Sequence, residues 1–284
     1  MLQQKKITPW LLVSPAILTL ALVMLYPLAQ VMVMSVHRNV IYSQTHQFVG
    51  LKNYAVIGSY FLIPSLLINT IYWTFACLVF QFLFGFTAAL ILNRGFWGSN
   101  VLRTMLLFPW VISPIVTAIM WKWLYDPSYG IIDELLGQPI AWLGDPKLAM
   151  ISLVIINVWQ GFPFWMIMTA AGLKTIPAEI YDAATIDGAN LRQQFFRMTI
   201  PSLRATLSVT ILMAFIFTLN YFALMQVLTQ GGPGTVTSTL PYAVYSLAFI
   251  QQNTGAASAL SVMLAVVMVA IIGIYIRVYN KKDD

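Results

Sequence analysis

Six stretches of this 284-residue chain contain no Asp, Glu, Lys, Arg or His and are apolar almost throughout; they run near residues 10–34, 69–92, 104–121, 148–173, 205–229 and 256–276. A helix needs about 20 residues to cross the hydrocarbon core of a bilayer. Within lipid every backbone N–H and C=O must be satisfied inside the protein, which leaves helices or closed barrels. Runs of this length predict an all-α membrane protein with six transmembrane helices. Composition agrees, with 60% hydrophobic and 8% charged residues, where soluble domains carry about a quarter charged. The first run follows Lys5 and Lys6 as a signal peptide would, but Pro27 and Gln30 offer no small-residue cleavage pattern. It is also longer than a signal-peptide core and is expected to be a retained span.

Six spans put both termini on one side. That side then holds Lys5, Lys6, Arg94, Arg103, Lys174, Arg192, Arg197, Arg204, Arg277, Lys281 and Lys282, while Arg38, Lys52, Lys122 and Lys147 lie opposite. Basic loops favour the cytoplasm, so both termini are expected to be cytoplasmic. The net charge of +6 therefore reports topology and does not point to nucleic acid. The single Cys77 lies inside an apolar run, which excludes a disulfide or Cys-based metal framework. His37 and His46 stand nine residues apart in a loop, a spacing that suits no common zinc motif. No metal or cofactor is expected.

Between the fourth and fifth runs, residues 173–204 concentrate Lys174, Glu179, Asp182, Asp187, Arg192, Arg197 and Arg204. Local chemistry reads this loop as two short helices and a tight turn. Pro177 suits the first turn of a helix, and Gly188 suits the left-handed stop. Asn190 with Gln193 forms a capping-box pair for the second helix, and Pro201 is expected to end it. Ala183 and Ala184 leave one face of the first helix nearly bare, open to the backbone of another protein.

This loop resembles the signature EAA loop of ABC importer permeases. Asp182-Ala183-Ala184, Gly188 and Ile200-Pro201 occupy its Glu-Ala-Ala, glycine and hydrophobic-proline places, with aspartate in place of the usual glutamate. The resemblance extends over nearly the whole chain: FVGLKNY at 48–54, Asn69-Thr70, LLFPWVISPIVTAIMWKWLYDPSYGIID at 106–133 and GGPG at 231–234 are similar to sugar-type members. It implies a type I ABC importer transmembrane domain in a prokaryotic plasma membrane, with residues 1–68 as an N-terminal span and connection and 69–280 as the permease core. It also implies a second homologous permease, two ATPase subunits and an extracytoplasmic binding protein as partners. Glu179, Asp182, Ala183, Ala184, Asp187, Gly188 and Pro201 would form the ATPase dock.

The spans offer no intramembrane ionisable group, which proton-driven carriers commonly use, and the chain has no GxxxxGK[ST] phosphate loop. Energy for active transport must then come from another subunit, and the chain itself is not expected to be an enzyme. A secondary carrier or facilitator for a neutral polar solute is the alternative reading. A membrane enzyme is disfavoured because no cluster of His, Asp, Glu or Cys lies at membrane depth. In the fourth run Asn157, Gln160 and Phe164 share a helix face, with Gly161 and Pro163 expected to loosen it; in the fifth, Ala214, Phe217, Thr218, Tyr221 and Met225 fall at helical spacing. Such amides, hydroxyls and rings suit a sugar, and equally suit interhelical packing. NVWQGFPFWMIM at 157–168 resembles the maltose-type segment that lines the sugar site. The resemblance thus assigns Gln160, Gly161, Phe164, Ala214, Phe217, Thr218 and Tyr221 to a solute pathway.

Overall fold

The computed structural model describes residues 4–38, 47–60 and 62–280, so His46, Lys281 and Lys282 lie outside the described residues. Four helices are long and apolar enough to cross a membrane unbroken: α1 (Leu12–Ser35), α2 (Ile63–Asn93), α5 (Ala149–Lys174) and α10 (Thr254–Asn280). Two further pairs are bent, α3 (Ser99–Val111) with α4 (Pro114–Leu124) by 97°, and α7 (Leu191–Ser202) with α8 (Arg204–Leu219) by 62°. Counting each bent pair once gives six spans. The shorter helices α6 (Ala178–Ile186) and α9 (Leu240–Ile250) lie between them in the chain.

By its contacts the chain divides into two units, Met1–Ile63 with Ala243–Ile271, and Pro64–Tyr242 with Ile272–Asp284. In the first unit, His37–Arg38 pairs antiparallel with Gln47–Phe48. Asn53 donates to the carbonyls of Ser35 and His37, which ties the short helix Lys52–Gly58 to the end of α1. The His37 ring packs edge-on against Phe48 and bonds the Val33 carbonyl, so this histidine has a local structural use.

In the second unit α2 and α5 run in the same direction at close range. Gly85 permits this, because a Cβ there would meet the Phe162 carbonyl and the Trp165 side chain. Phe86, Ala89, Leu92, Met166, Leu173 and Leu203 form the buried cluster below that crossing. Gly172 gives Leu203 and Thr206 the same kind of approach. Asn69 donates to the carbonyls of Thr235 and Ser238, and the Leu240 N–H donates to Thr70 Oγ1. That pair at the start of α2 anchors the GGPG loop, where Gly231 and Gly234 take positive φ.

Three expectations about the spans are corrected. The third run is not one helix: Ile112 and Ser113 are extended, because Pro114 drives the preceding residue out of the α region. Pro109, by contrast, is carried within α3. The fifth run stops at Leu219, where Trp73 Nε1 donates to the Thr218 carbonyl and Asn220 Nδ2 to the Ile216 carbonyl. Helical structure resumes as a π-turn at Met225–Thr229, and Met225, fully buried, leaves the expected stripe. Gly161 and Pro163, expected to loosen the fourth run, lie within one continuous helix, α5.

Candidate functional site

A cavity of about 200 Å³ opens in the second unit where the α3–α4 break faces α5 and the end of α8. It is lined by Gln160, Gly161, Phe164, Ala214, Phe217, Thr218 and Tyr221, all seven of the pathway residues read from sequence. Gln81, Trp110 and Asn157 complete its polar and aromatic wall. Tyr221 stands just beyond the end of α8, so the broken helix, and not a continuous stripe, delivers it to the wall.

The amide of Gln160 is engaged at both ends. Its Nε2 donates to the Ile112 carbonyl at 3.1 Å and to Thr117 Oγ1 at 3.3 Å, while its Oε1 accepts from the Tyr221 hydroxyl at 2.7 Å. A carbonyl freed at a helix break inside a membrane needs a donor, and Gln160 supplies it. Gln81 is held the same way: Nε2 donates to Asn157 Oδ1 at 2.8 Å and to the Asn157 carbonyl at 3.2 Å, and Oε1 accepts from Trp165 Nε1 at 3.3 Å. Gly161 makes room for it, since a Cβ there would fall on the Gln81 amide. The Asn157 amide nitrogen has no hydrogen-bond partner among the described residues. Phe164 sits between Trp110 and Phe217, with centroids 6.3 and 5.9 Å away. No lining residue is Asp, Glu, Lys, Arg or His. The wall therefore offers amide and hydroxyl groups between aromatic faces, chemistry suited to a neutral polyhydroxylated solute.

Sequence reasoning missed Gln81 and Trp110. Gln81 was legible as a polar group in an apolar run, but its partners on α5 are set by helix crossing, which periodicity does not reveal.

The second cluster is the loop between α5 and α8. Pro177 stands at the N-cap of α6, Gly188 has φ +80°, and the Asn190–Gln193 capping box is closed in both directions, at 2.9 and 2.8 Å. The Tyr181 hydroxyl and Thr199 Oγ1, 3.0 Å apart, hold α6 to α7. Two expectations are corrected here. Pro201 does not end the second helix, which runs through a π-turn at Phe195–Thr199 to Ser202 and bends at Leu203. Ala184 is buried against its own chain; with no side chain beyond Cβ it lets the loop fold closely on itself, while Ala183 stays exposed. Glu179, Asp182, Asp187, Gly188 and Pro201 are also exposed, and the three carboxylates make no hydrogen bond or ion pair among the described residues. Around the glycine turn stand Ile186 and Leu191, 86% and 82% exposed, with Phe196 nearby. Sequence reasoning passed over these three; for Ile186 and Leu191 the signal available was their place two and three residues from Gly188.

The chain is 32% identical over 97% of its length to the trehalose/maltose transport system permease protein MalF of Thermococcus litoralis, covering 94% of that protein. It is 31% identical over 98% of its length to the sn-glycerol-3-phosphate transport system permease protein UgpA of Agrobacterium fabrum, covering 96% of it. A chain of a bacterial ABC transporter involved in the import of the acidic polysaccharide alginate has the same fold, with a TM-score of 0.86 at 20% identity, covering 99% of this chain and 98% of that one. Residues 81–282, which include the cavity wall and the whole charged loop, match the binding-protein-dependent transport system inner membrane component model, and the chain belongs to that family.

Proposed function

We propose that this chain is the transmembrane permease subunit of an ATP-driven ABC importer, supplying half of the translocation pathway for a sugar or sugar-like solute. The observation that carries this reading is the uncharged cavity itself, with Gln81, Asn157, Gln160, Thr218 and Tyr221 between the rings of Trp110, Phe164 and Phe217. At about 200 Å³ it is smaller than the roughly 300–1,000 Å³ of sites that enclose a small ligand. A second, homologous permease is taken to provide the facing wall. The relatives named for trehalose/maltose and glycerol-3-phosphate support a carbohydrate-like cargo. The lack of a cation on the wall favours the neutral member of that pair.

Residues 69–280 are taken as the permease core and 1–68 as the span and connection that precede it. The positive-inside distribution supports cytoplasmic termini, which puts Glu179, Asp182, Ala183, Asp187, Gly188 and Pro201 in the cytoplasm with Ile186 and Leu191. There two separate ATPase subunits dock, and an extracytoplasmic binding protein delivers solute on the opposite side. ATP-driven closure of the ATPase pair moves α6 and α7, and the bent pair α7–α8 passes that motion to Tyr221. The test is uptake of a labelled sugar panel by cells with and without the chain, together with co-purification of an ATPase. Uptake that survives loss of the ATPase and follows the proton gradient would assign the chain to secondary carriers instead.

A further inference from the structure

A second cleft, of about 710 Å³, lies on another face of α2 and α5 and shares no lining residue with the solute cavity. On α2 its wall extends from Tyr72 to Ile91, and on α5 from Ile151 to Phe162, with Leu106 of α3 at one end. At 1.5 Å per residue the α2 wall is about 28 Å long, so an acyl chain that reaches the middle of the roughly 30 Å hydrocarbon core occupies its half nearest Ile91 and Leu106. Ala76 and Ala88, one turn before Phe80 and one turn after Phe84 on the same helix face, present only a methyl group to the cleft.

One turn further on, where α2 ends and α3 begins, a cavity of about 920 Å³ is lined by Asn93, Trp97, Ser99, Leu102, Arg103 and Lys174. On α3 the two meet on one helix face, Leu102 and Arg103 standing four and three residues before Leu106, while Lys174 stands twelve residues beyond Phe162 at the end of α5. Among the described residues neither Arg103 nor Lys174 has a hydrogen bond or an ion pair. Trp97 is fully exposed beside them, as befits a ring at the membrane–water interface. An apolar slot at bilayer depth that ends on two unpaired cations between helices has the chemistry of an anionic lipid site. A helix from another subunit would match the slot but would leave the cations unanswered.

We propose that this cleft binds one anionic glycerophospholipid, with an acyl chain between α2 and α5 and the phosphate at Arg103 and Lys174. The site shares no lining residue with the solute cavity, and its test rests on the transport reading only for the subunits purified with the chain.

The test uses the full transporter complex reconstituted in vesicles of phosphatidylcholine with a trace of photoactivatable lipid, either phosphatidylglycerol or phosphatidylcholine carrying the same acyl chain. Labelled peptides are mapped by mass spectrometry. The phosphatidylglycerol probe is expected to label the segments 80–91 and 151–162 many times more than the phosphatidylcholine probe. In Arg103→Gln/Lys174→Gln that excess should fall about 25-fold, roughly fivefold for each charge lost. Ala88→Phe, which fills the slot, should reduce labelling there by both probes. Equal labelling by the two headgroups, or an unchanged excess in the double variant, would mean that bulk acyl chains merely bathe the slot. Absence of label from these segments in the wild-type complex would mean that another subunit covers it. Either result overturns the proposal.

Discussion

The Tyr221 hydroxyl donates to Gln160 Oε1 at 2.7 Å, and the same amide donates to the Ile112 carbonyl. One side chain thus fastens the break in the third run and the end of the fifth to α5. Gln160→Ala would leave the Ile112 carbonyl and the Tyr221 hydroxyl without partners, at about 1–3 kcal/mol for each buried group. Tyr221→Phe removes one hydrogen bond, worth about 1 kcal/mol. Thermal unfolding of the purified protein should therefore show a larger drop for Gln160→Ala, and the double variant should fall short of the sum. In uptake assays both variants should shift sugar preference more than total rate. Additive melting shifts would show that the two side chains act separately.

Gly161 has a parallel dependence on Gln81. A methyl group added at 161 would fall on the Gln81 amide, displacing it from Asn157 and Trp165. Gly161→Ala is expected to disturb uptake and to destabilise by about 1–3 kcal/mol through the unpaired amides. Adding Gln81→Ala should cost little more, because the clash and the displaced Gln81 amide are then gone while Asn157 and Trp165 have already lost their partner, and solute selectivity should stay altered. If Gly161→Ala alone melts and transports like wild type, the Gln81 amide is not held as the geometry indicates.

How much of this was readable beforehand depended on the range of the interaction. Hydrophobic run length found the four unbroken apolar helices and the apolar part of each bent pair, and local hydrogen-bond chemistry found the Gly188 stop and the Asn190–Gln193 box, whose parts lie within four residues of one another. Seven of the cavity's lining residues were also within reach, because helical spacing put Gln160, Phe164, Ala214, Phe217, Thr218 and Tyr221 on two faces and resemblance added Gly161; Gln81 and Trp110, on other helices, were not. Breaks within the runs were not. Pro109 and Pro114 look alike in sequence, yet only the second accompanies a break, and the donor that satisfies the Ile112 carbonyl there is Gln160, 46 positions after Pro114. The end of α8 likewise depends on Trp73, which occupies the Thr218 carbonyl from 145 residues away. Ala184 misled for the same reason, since a bare helix face serves an internal contact as readily as an external one.

The glycine at 188 should be replaceable in volume but not in conformation. Nothing lies within 4 Å of a Cβ built there, yet φ is +80°. An L-residue in that region costs about 1–2 kcal/mol, and a β-branched one suffers more. Gly188→Val is expected to abolish transport while membrane insertion and abundance stay near wild type, because the turn that sets α6 against α7 is local. Gly188→Asn should retain a large part of the activity, since asparagine tolerates the left-handed region. Uptake and ATPase co-purification for the two variants decide the point, and full activity in Gly188→Val would remove the loop from the coupling path.

Orientation can be tested without reference to transport. Cys77 is fully buried in α2, so Cys77→Ala should give a foldable cysteine-free background. Ser128 and Gln193 are exposed, on the loop after α4 and at the start of α7. The eleven-to-four division of Lys and Arg puts the first outside and the second in the cytoplasm. A membrane-impermeant maleimide added to whole spheroplasts should therefore modify Ser128→Cys and spare Gln193→Cys, and lysis should expose the second. Ser43, which also falls on the outer side by this reading, lies outside the described residues. Modification of Gln193→Cys from outside would reverse the topology and take the α6–α7 loop away from any cytoplasmic ATPase.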